Sequence, residues 1–213
     1  MTSMFTPSDR DRLLELMEPL CGPLYRSLDR AVDLSWQHFD GHGMTGDHYS
    51  AGRWQLARAH ALRLIEDEQL TGDLGRWSLK RPRGNLQLCL HQGAAKLRLL
   101  RPGVDDAPPP GPNRARVAYF TNNQANLFGV DGSHFIGLWS RDPETGEVEL
   151  RVVRPRGAWD FGRKAKLDLD LILPRQSEDL GRLEFRPDDE DIDLQLPFDD
   201  TEEGGNENAG GNA

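Results

Sequence analysis

Apolar residues recur at helical spacing over about the first 70 positions and at every second position from Trp77 onward, so the chain must be helices first and strands after. In the helical part, Leu13, Leu14, Met17, Leu20, Cys21 and Leu24 form one stripe, which Leu28, Ala31, Val32, Ser35, Trp36 and Phe39 continue. Thr6 suits a cap and Pro7 a first helical position. Gly22-Pro23 interrupts the stripe, because proline lacks the amide and clashes with the preceding turn, so the segment reads as one kinked helix or two in series. After a glycine-rich loop from Asp40 to Tyr49, a further helix is expected from about Ser50 to Gln69. Its face of Trp54, Ala57, Ala61, Leu64 and Ile65 should meet a sheet, with Arg53, Arg63, Glu66 and Asp67 turned to solvent.

The period-two part predicts strands at 86–91, 95–101, 117–120, 135–139, 148–152 and 167–173, and a short last one at 183–185. Leu86, Leu88 and Leu90 alternate with Gln87, Cys89 and His91, whereas the run from Phe135 to Trp139 is apolar on both faces. Asp142-Pro-Glu-Thr-Gly146 holds the turn formers of a hairpin. The stretch from Arg101 to Asn113 carries five prolines and reads as a surface loop. No helix-length apolar pattern separates the strands, which argues against parallel crossovers. The expected fold is α+β: two or three N-terminal helices packed on a mostly antiparallel sheet of six to seven strands.

Charge divides the chain. Of its 26 basic and 35 acidic residues, the segment from Pro187 to Ala213 holds no base and ten acids, which leaves residues 1–186 with 26 against 25. Residues 1–186 therefore read as a single domain and 187–213 as an acidic tail, whose composition cannot bury enough apolar surface to offset ordering entropy and predicts disorder. Within the tail lies a short apolar island at 192–198. Leu194, Leu196 and Phe198 are candidate contacts for a protein partner, the alternative being a terminal strand of the sheet. Gln195-Leu-Pro-Phe198 resembles the glutamine-leucine-phenylalanine peptides that bind the bacterial sliding clamp, over four residues and without the second apolar position before the aromatic.

Chemistry-bearing motifs are sparse. Cys21 and Cys89 have neither metal-site nor redox-pair spacing and read as buried free thiols. His38, Asp40, His42, Asp47 and His48 gather imidazoles and carboxylates in one loop, but without a ligand spacing; Asp47 reads as a cap. Glu147, Glu149, Asp168 and Asp170 sit on strands that could be neighbours, as metal-dependent nucleases require. Arg151, however, stands where such a site needs a lysine, and arginine cannot give up its proton. Cross-strand ion pairs are the ordinary explanation. There is no serine-hydrolase, phosphate-loop or zinc-protease motif, and no cofactor is expected. The first nine residues form no signal peptide and no stretch approaches the ~20 apolar residues of a membrane span, so a cytoplasmic, membrane-free protein is expected.

The basic residues are the strongest functional signal. From Arg76 to Arg101 there are seven bases and no acid: Arg76, Lys80, Arg81, Arg83, Lys96, Arg98 and Arg101. A second run holds Arg151, Arg154, Arg156, Arg163, Lys164 and Lys166 against Asp160 alone. Trp77, Trp159 and Phe161 are interleaved. This combination suits a phosphate-binding surface. The expectation is a non-enzymatic binding or regulatory protein that meets nucleic acid or a nucleoprotein machine, of the kind a bacterial or phage regulator or a toxin–antitoxin component would be. The acidic tail would compete for the basic face. The competing expectation is a metal-dependent hydrolase or nuclease built on the histidine loop or the strand carboxylates.

Overall fold

The computed structural model describes residues 7–80, 86–103, 107–110, 114–121, 133–157, 159–160 and 163–182. Helix α1 (Pro7–Met17) passes through a 3-10 turn (Glu18–Leu20) into α2 (Cys21–Gly41). The break therefore lies at Glu18-Pro19. Pro23 sits in the first turn of α2, where the missing amide costs nothing. Helix α3 (Ser50–Thr71) runs back along α2, and their contact is made by small and branched residues: Ala31, Val32 and Ser35 face Ala57 and Ala61 from within the core. The Ser35 hydroxyl donates to the Arg53 carbonyl at 2.6 Å and ties the two helices at one end. Gly72 ends α3 in the left-handed region (φ 85°), where the Asp73 amide turns back to the Glu68 carbonyl at 3.0 Å.

Six strands form one sheet in the order β1 (Ser78–Leu79), β2 (Leu88–Gln92), β3 (Ala95–Leu100), β4 (His134–Arg141), β5 (Val148–Pro155), β6 (Leu167–Ile172). Leu90, Leu97, Phe135, Leu150 and Leu171 share the inner face with the α1–α3 layer. Tyr25 pins the layers: its hydroxyl donates to the Leu173 carbonyl at 2.6 Å and accepts from the Leu150 amide at 3.2 Å. Trp54 meets Trp139 edge-on, with ring centroids 5.1 Å apart. Ile65 is fully buried, whereas Leu64 is half-buried at the margin of the same core. The expected hairpin is present between β4 and β5, with Asp142 accepting the Glu144 and Thr145 amides and Gly146 at φ 77°.

Three expectations are corrected. Residues 117–120 are not a strand but lie in α4 (Arg114–Thr121). Four alternating residues span barely one helical turn, too few for period to decide, and here Phe120 is buried with the half-buried Tyr119 beside it. Consequently β3 and β4 pair in parallel, with Leu97 opposite Phe135, joined by a crossover through α4. The crossover escaped notice because α4 is short and carries no apolar stripe. All other neighbours are antiparallel. Arg53, expected in solvent, is only 12% exposed and pairs with Asp40 at 2.9 Å. The expected strand at 183–185 and everything after Arg182 lie outside the described residues.

The outer face of the sheet is covered unevenly. Ala107, Phe120 and Trp159 close over Ile136, Leu138 and Val153 as a second, smaller core. They cover β4 and β5. Over β2 and the first half of β3 the outward side chains are polar.

Candidate nucleic-acid interface

Strand register fixes which residues share this face. Side chains alternate, so Leu88 and Leu90 point inward and Cys89 and His91 outward. Cys89 is opposite Arg98, and His91 is opposite Lys96, in the antiparallel β2–β3 pair. Lys96 in turn neighbours His134 across the parallel pair. On the other side, the Lys80 amide donates to the Cys89 carbonyl at 2.9 Å, placing Lys80 beside this row. α4 lies over the β3–β4 seam, where the Tyr119 hydroxyl donates to the Phe135 carbonyl at 2.8 Å and its ring stacks on His134 at 4.5 Å. That position brings Arg116 into the field of Arg98.

The electrostatics of the patch are one-sided. Burial, then Lys80, Lys96 and His134, lower His91 from 6.5 to about 4. Burial lowers Arg98 as well, with Arg116 adding to it, and burial also lowers His134. The Arg98 Nε is buried and makes no hydrogen bond among the described residues. Lys80, Lys96 and Arg98 make no ion pair among the described residues. Cys89 lies 3.3 Å from His91 Nε2, and burial raises its thiol despite three neighbouring cations. Cys89 is thus half-buried on the polar face, unlike Cys21, which is fully buried and pushed up to about 12.

A pH dependence follows. Because the fold holds His91 with a lowered pKa, the unfolded chain binds more protons between pH 6.5 and about 4. Stability should therefore fall as pH drops through that window. In urea titrations His91→Gln should flatten the slope; an unchanged slope would show that His91 titrates freely.

The other predicted residues are placed as follows. Arg76 is exposed but lines a groove of about 440 Å³ with Arg12 and Glu15, apart from Lys80 and Arg98. Arg81 and Arg83 lie outside the described residues. Arg151 makes a bidentate pair with Asp170, Arg154 one with Asp168, and Arg156 shares Asp168 at 2.8 Å. These three arginines are thereby engaged, and Arg154 is only 8% exposed. Lys164 is exposed on the loop before β6. The interleaved tryptophans are structural: Trp77 Nε1 donates to the Leu16 carbonyl and Trp159 Nε1 to the Ala107 carbonyl, both rings buried. Leu194, Leu196 and Phe198 lie outside the described residues.

The histidine loop does not converge with the strand acids. His38, His42 and His48 are exposed, His38 and His42 contacting each other and His48 packing on Tyr49. Asp47 opens a 3-10 turn without capping it through its side chain. Among the described residues no three His, Cys, Asp or Glu side chains are grouped to hold a metal ion, and no helix is long and apolar enough to cross a membrane.

Sequence reading missed His91, His134, Arg116 and Tyr119. The alternation of 86–91 already carried the signal for His91, while Arg116 and Tyr119 were hidden by the mistaken strand. Compared with family models, curated proteins and solved structures, the chain finds no match.

Proposed function

We propose that this protein is a non-enzymatic binding protein whose open outer sheet face takes the phosphate backbone of nucleic acid. The observation that carries this reading is the sharing of one sheet face by Lys80, Lys96 and Arg98, none of which makes an ion pair among the described residues. Like charges gathered without counter-charges destabilise a fold, so such a patch is best understood through an anionic ligand. A phosphate would remove part of the repulsion among Lys80, Lys96 and Arg98. The basic residues of β5, engaged with Asp168 and Asp170, support the sheet more than the ligand. In this reading the chain is a regulator or adaptor of a nucleoprotein assembly, and the bacterial, phage and toxin–antitoxin settings are variants of it.

Fluorescence anisotropy with labelled oligonucleotides tests it. Binding is expected at low salt and should weaken steeply as salt rises, since each phosphate contact releases counterions. Arg98→Gln should weaken it about tenfold, as loss of a charged hydrogen bond of ~1.5 kcal/mol predicts. Cys89 reports from within the patch. Bound oligonucleotide should slow its alkylation, with Cys21 unreactive throughout. No binding at low salt, or binding that leaves Cys89 alkylation unchanged, would refute the assignment.

A further inference from the structure

A second set of cations lies around the end of the sheet, on the helix side. Trp36 and Trp54 meet edge-on with centroids 5.3 Å apart, and both are partly exposed at the margin of the inner core. The Arg101 guanidinium lies 4.9 Å from the Trp54 ring and that of Arg141 lies 5.5 Å from the Trp36 ring. Arg101 directly follows β3 and Arg141 closes β4, so both stand at the carboxyl ends of the two parallel strands. Neither makes an ion pair among the described residues, and a guanidinium over an indole face keeps N–H donors available for phosphate.

This rim and the outer face are close. Arg98 lies in β3 and Arg101 just past its end, three residues on and about 10 Å away at strand rise, yet Arg98 projects from the outer face and Arg101 reaches Trp54 on the helix side. Arg58, one turn from Trp54 on α3, is half-buried and adds a further positive charge within the field of Arg98.

We infer that the ligand is single-stranded nucleic acid, which runs across the outer face at Arg98 and turns round the end of β3 onto Arg101, Arg141 and the Trp36–Trp54 pair. The inference rests on the proposed polyanion-binding role and names its substrate class. A duplex, stiff over about 150 base pairs, cannot turn through a sheet edge within ~10 Å, whereas a single strand bends at every nucleotide. The stacked guanidiniums present planar cations to both phosphates and unstacked bases. The duplex would touch only one of the two sides.

The test uses the full chain at low salt with a 12-nucleotide single strand and a hairpin duplex, followed by anisotropy and by tryptophan fluorescence. The single strand is expected to bind on the order of tenfold tighter than the duplex and to quench tryptophan emission, with Trp54→Phe removing part of the quench. Arg101→Gln with Arg141→Gln should erase that preference by weakening the single strand about tenfold while leaving duplex affinity unchanged. Arg101→Lys should keep most of the duplex and single-strand affinity, because the charge is retained. Equal affinity for the two forms, or an unchanged single-strand affinity in the double variant, overturns the inference. Loss of single-strand affinity in the rim variant together with none in Lys96→Gln/Arg98→Gln would instead remove the outer-face reading and leave the rim as the site. Near-UV circular dichroism on each variant confirms that the tryptophan cluster is intact.

Discussion

Asp168→Ala is expected to destabilise the protein by about 3–5 kcal/mol, the cost of leaving a buried charge without its partner. The partner is Arg154, only 8% exposed, whose Nε and Nη2 lie 2.7 and 2.9 Å from the two Asp168 oxygens. Its remaining Nη1 donates to the Ser133 hydroxyl at 2.8 Å, so the guanidinium is held from three sides. Arg156 also reaches Asp168, but from solvent, at 43% exposure. Its replacement by glutamine should therefore cost under about 1 kcal/mol, as exposed ion pairs do. The double variant Arg154→Met/Asp168→Leu should recover most of the loss, because an apolar pair of similar volume removes both desolvation penalties at once. Urea denaturation midpoints measure all three. A loss below about 1 kcal/mol in Asp168→Ala would mean that water or another group takes up the Arg154 charge, contrary to its burial.

This pair illustrates what the sequence could convey. Period two located β2, β3, β5 and β6 closely, because residues buried on one face leave an alternation that chemistry enforces. The hairpin at Asp142–Gly146 was legible because its turn needs both an aspartate acceptor and a residue free to take positive φ. Pairing partners were not legible. Arg151, Arg154 and Arg156 read as a basic run along the chain, yet Asp168 and Asp170, twelve or more positions later, lie across the β5–β6 ladder and engage them. Linear charge counts see neither register nor burial. Trp77 and Trp159 were misread for the same reason. Indole beside arginine in sequence resembles a stacking platform, and only tertiary contact shows that their N–H groups end on backbone carbonyls inside two separate cores.

The crossover was the largest miss, and it matters for function. With β3 and β4 parallel, α4 is carried to the outer face, where it lies over the β3–β4 seam. An all-antiparallel meander would have needed no such cover and would have put Arg116 elsewhere. The basic surface is thus a product of topology as much as of composition. Of the first basic run, Lys96 and Arg98 fall on a strand pair with outward alternation, Lys80 lies beside them, and nothing acidic stands on the neighbouring described strands. The tryptophans that do have arginine guanidiniums over their rings, Trp36 and Trp54, come from the helices and were read as core.

Removing residues 187–213 should tighten nucleic-acid binding by between about ten- and a hundredfold at low salt, and by much less at high salt. The segment carries ten acids and no base, against a domain of 26 bases and 25 acids, so its only electrostatically favourable target on the same molecule is a region of unbalanced positive charge. Lys80, Lys96 and Arg98 form such a region. A tethered competitor acts at an effective concentration of roughly millimolar, so even a weak segment-to-face contact occupies the site. Both interactions are salt-sensitive, but the oligonucleotide makes its contacts from solution while the segment is always present, so the ratio of affinities between the two forms of the protein must shrink as salt screens the intramolecular contact. Charge reversal at Arg98 should weaken both, and should therefore reduce the gain from deletion. Anisotropy titrations of full-length and 1–186 protein at two salt concentrations measure the ratio. Equal affinities at low salt would show that the acidic segment does not visit the basic face, and would leave its Leu194, Leu196 and Phe198 to a partner protein.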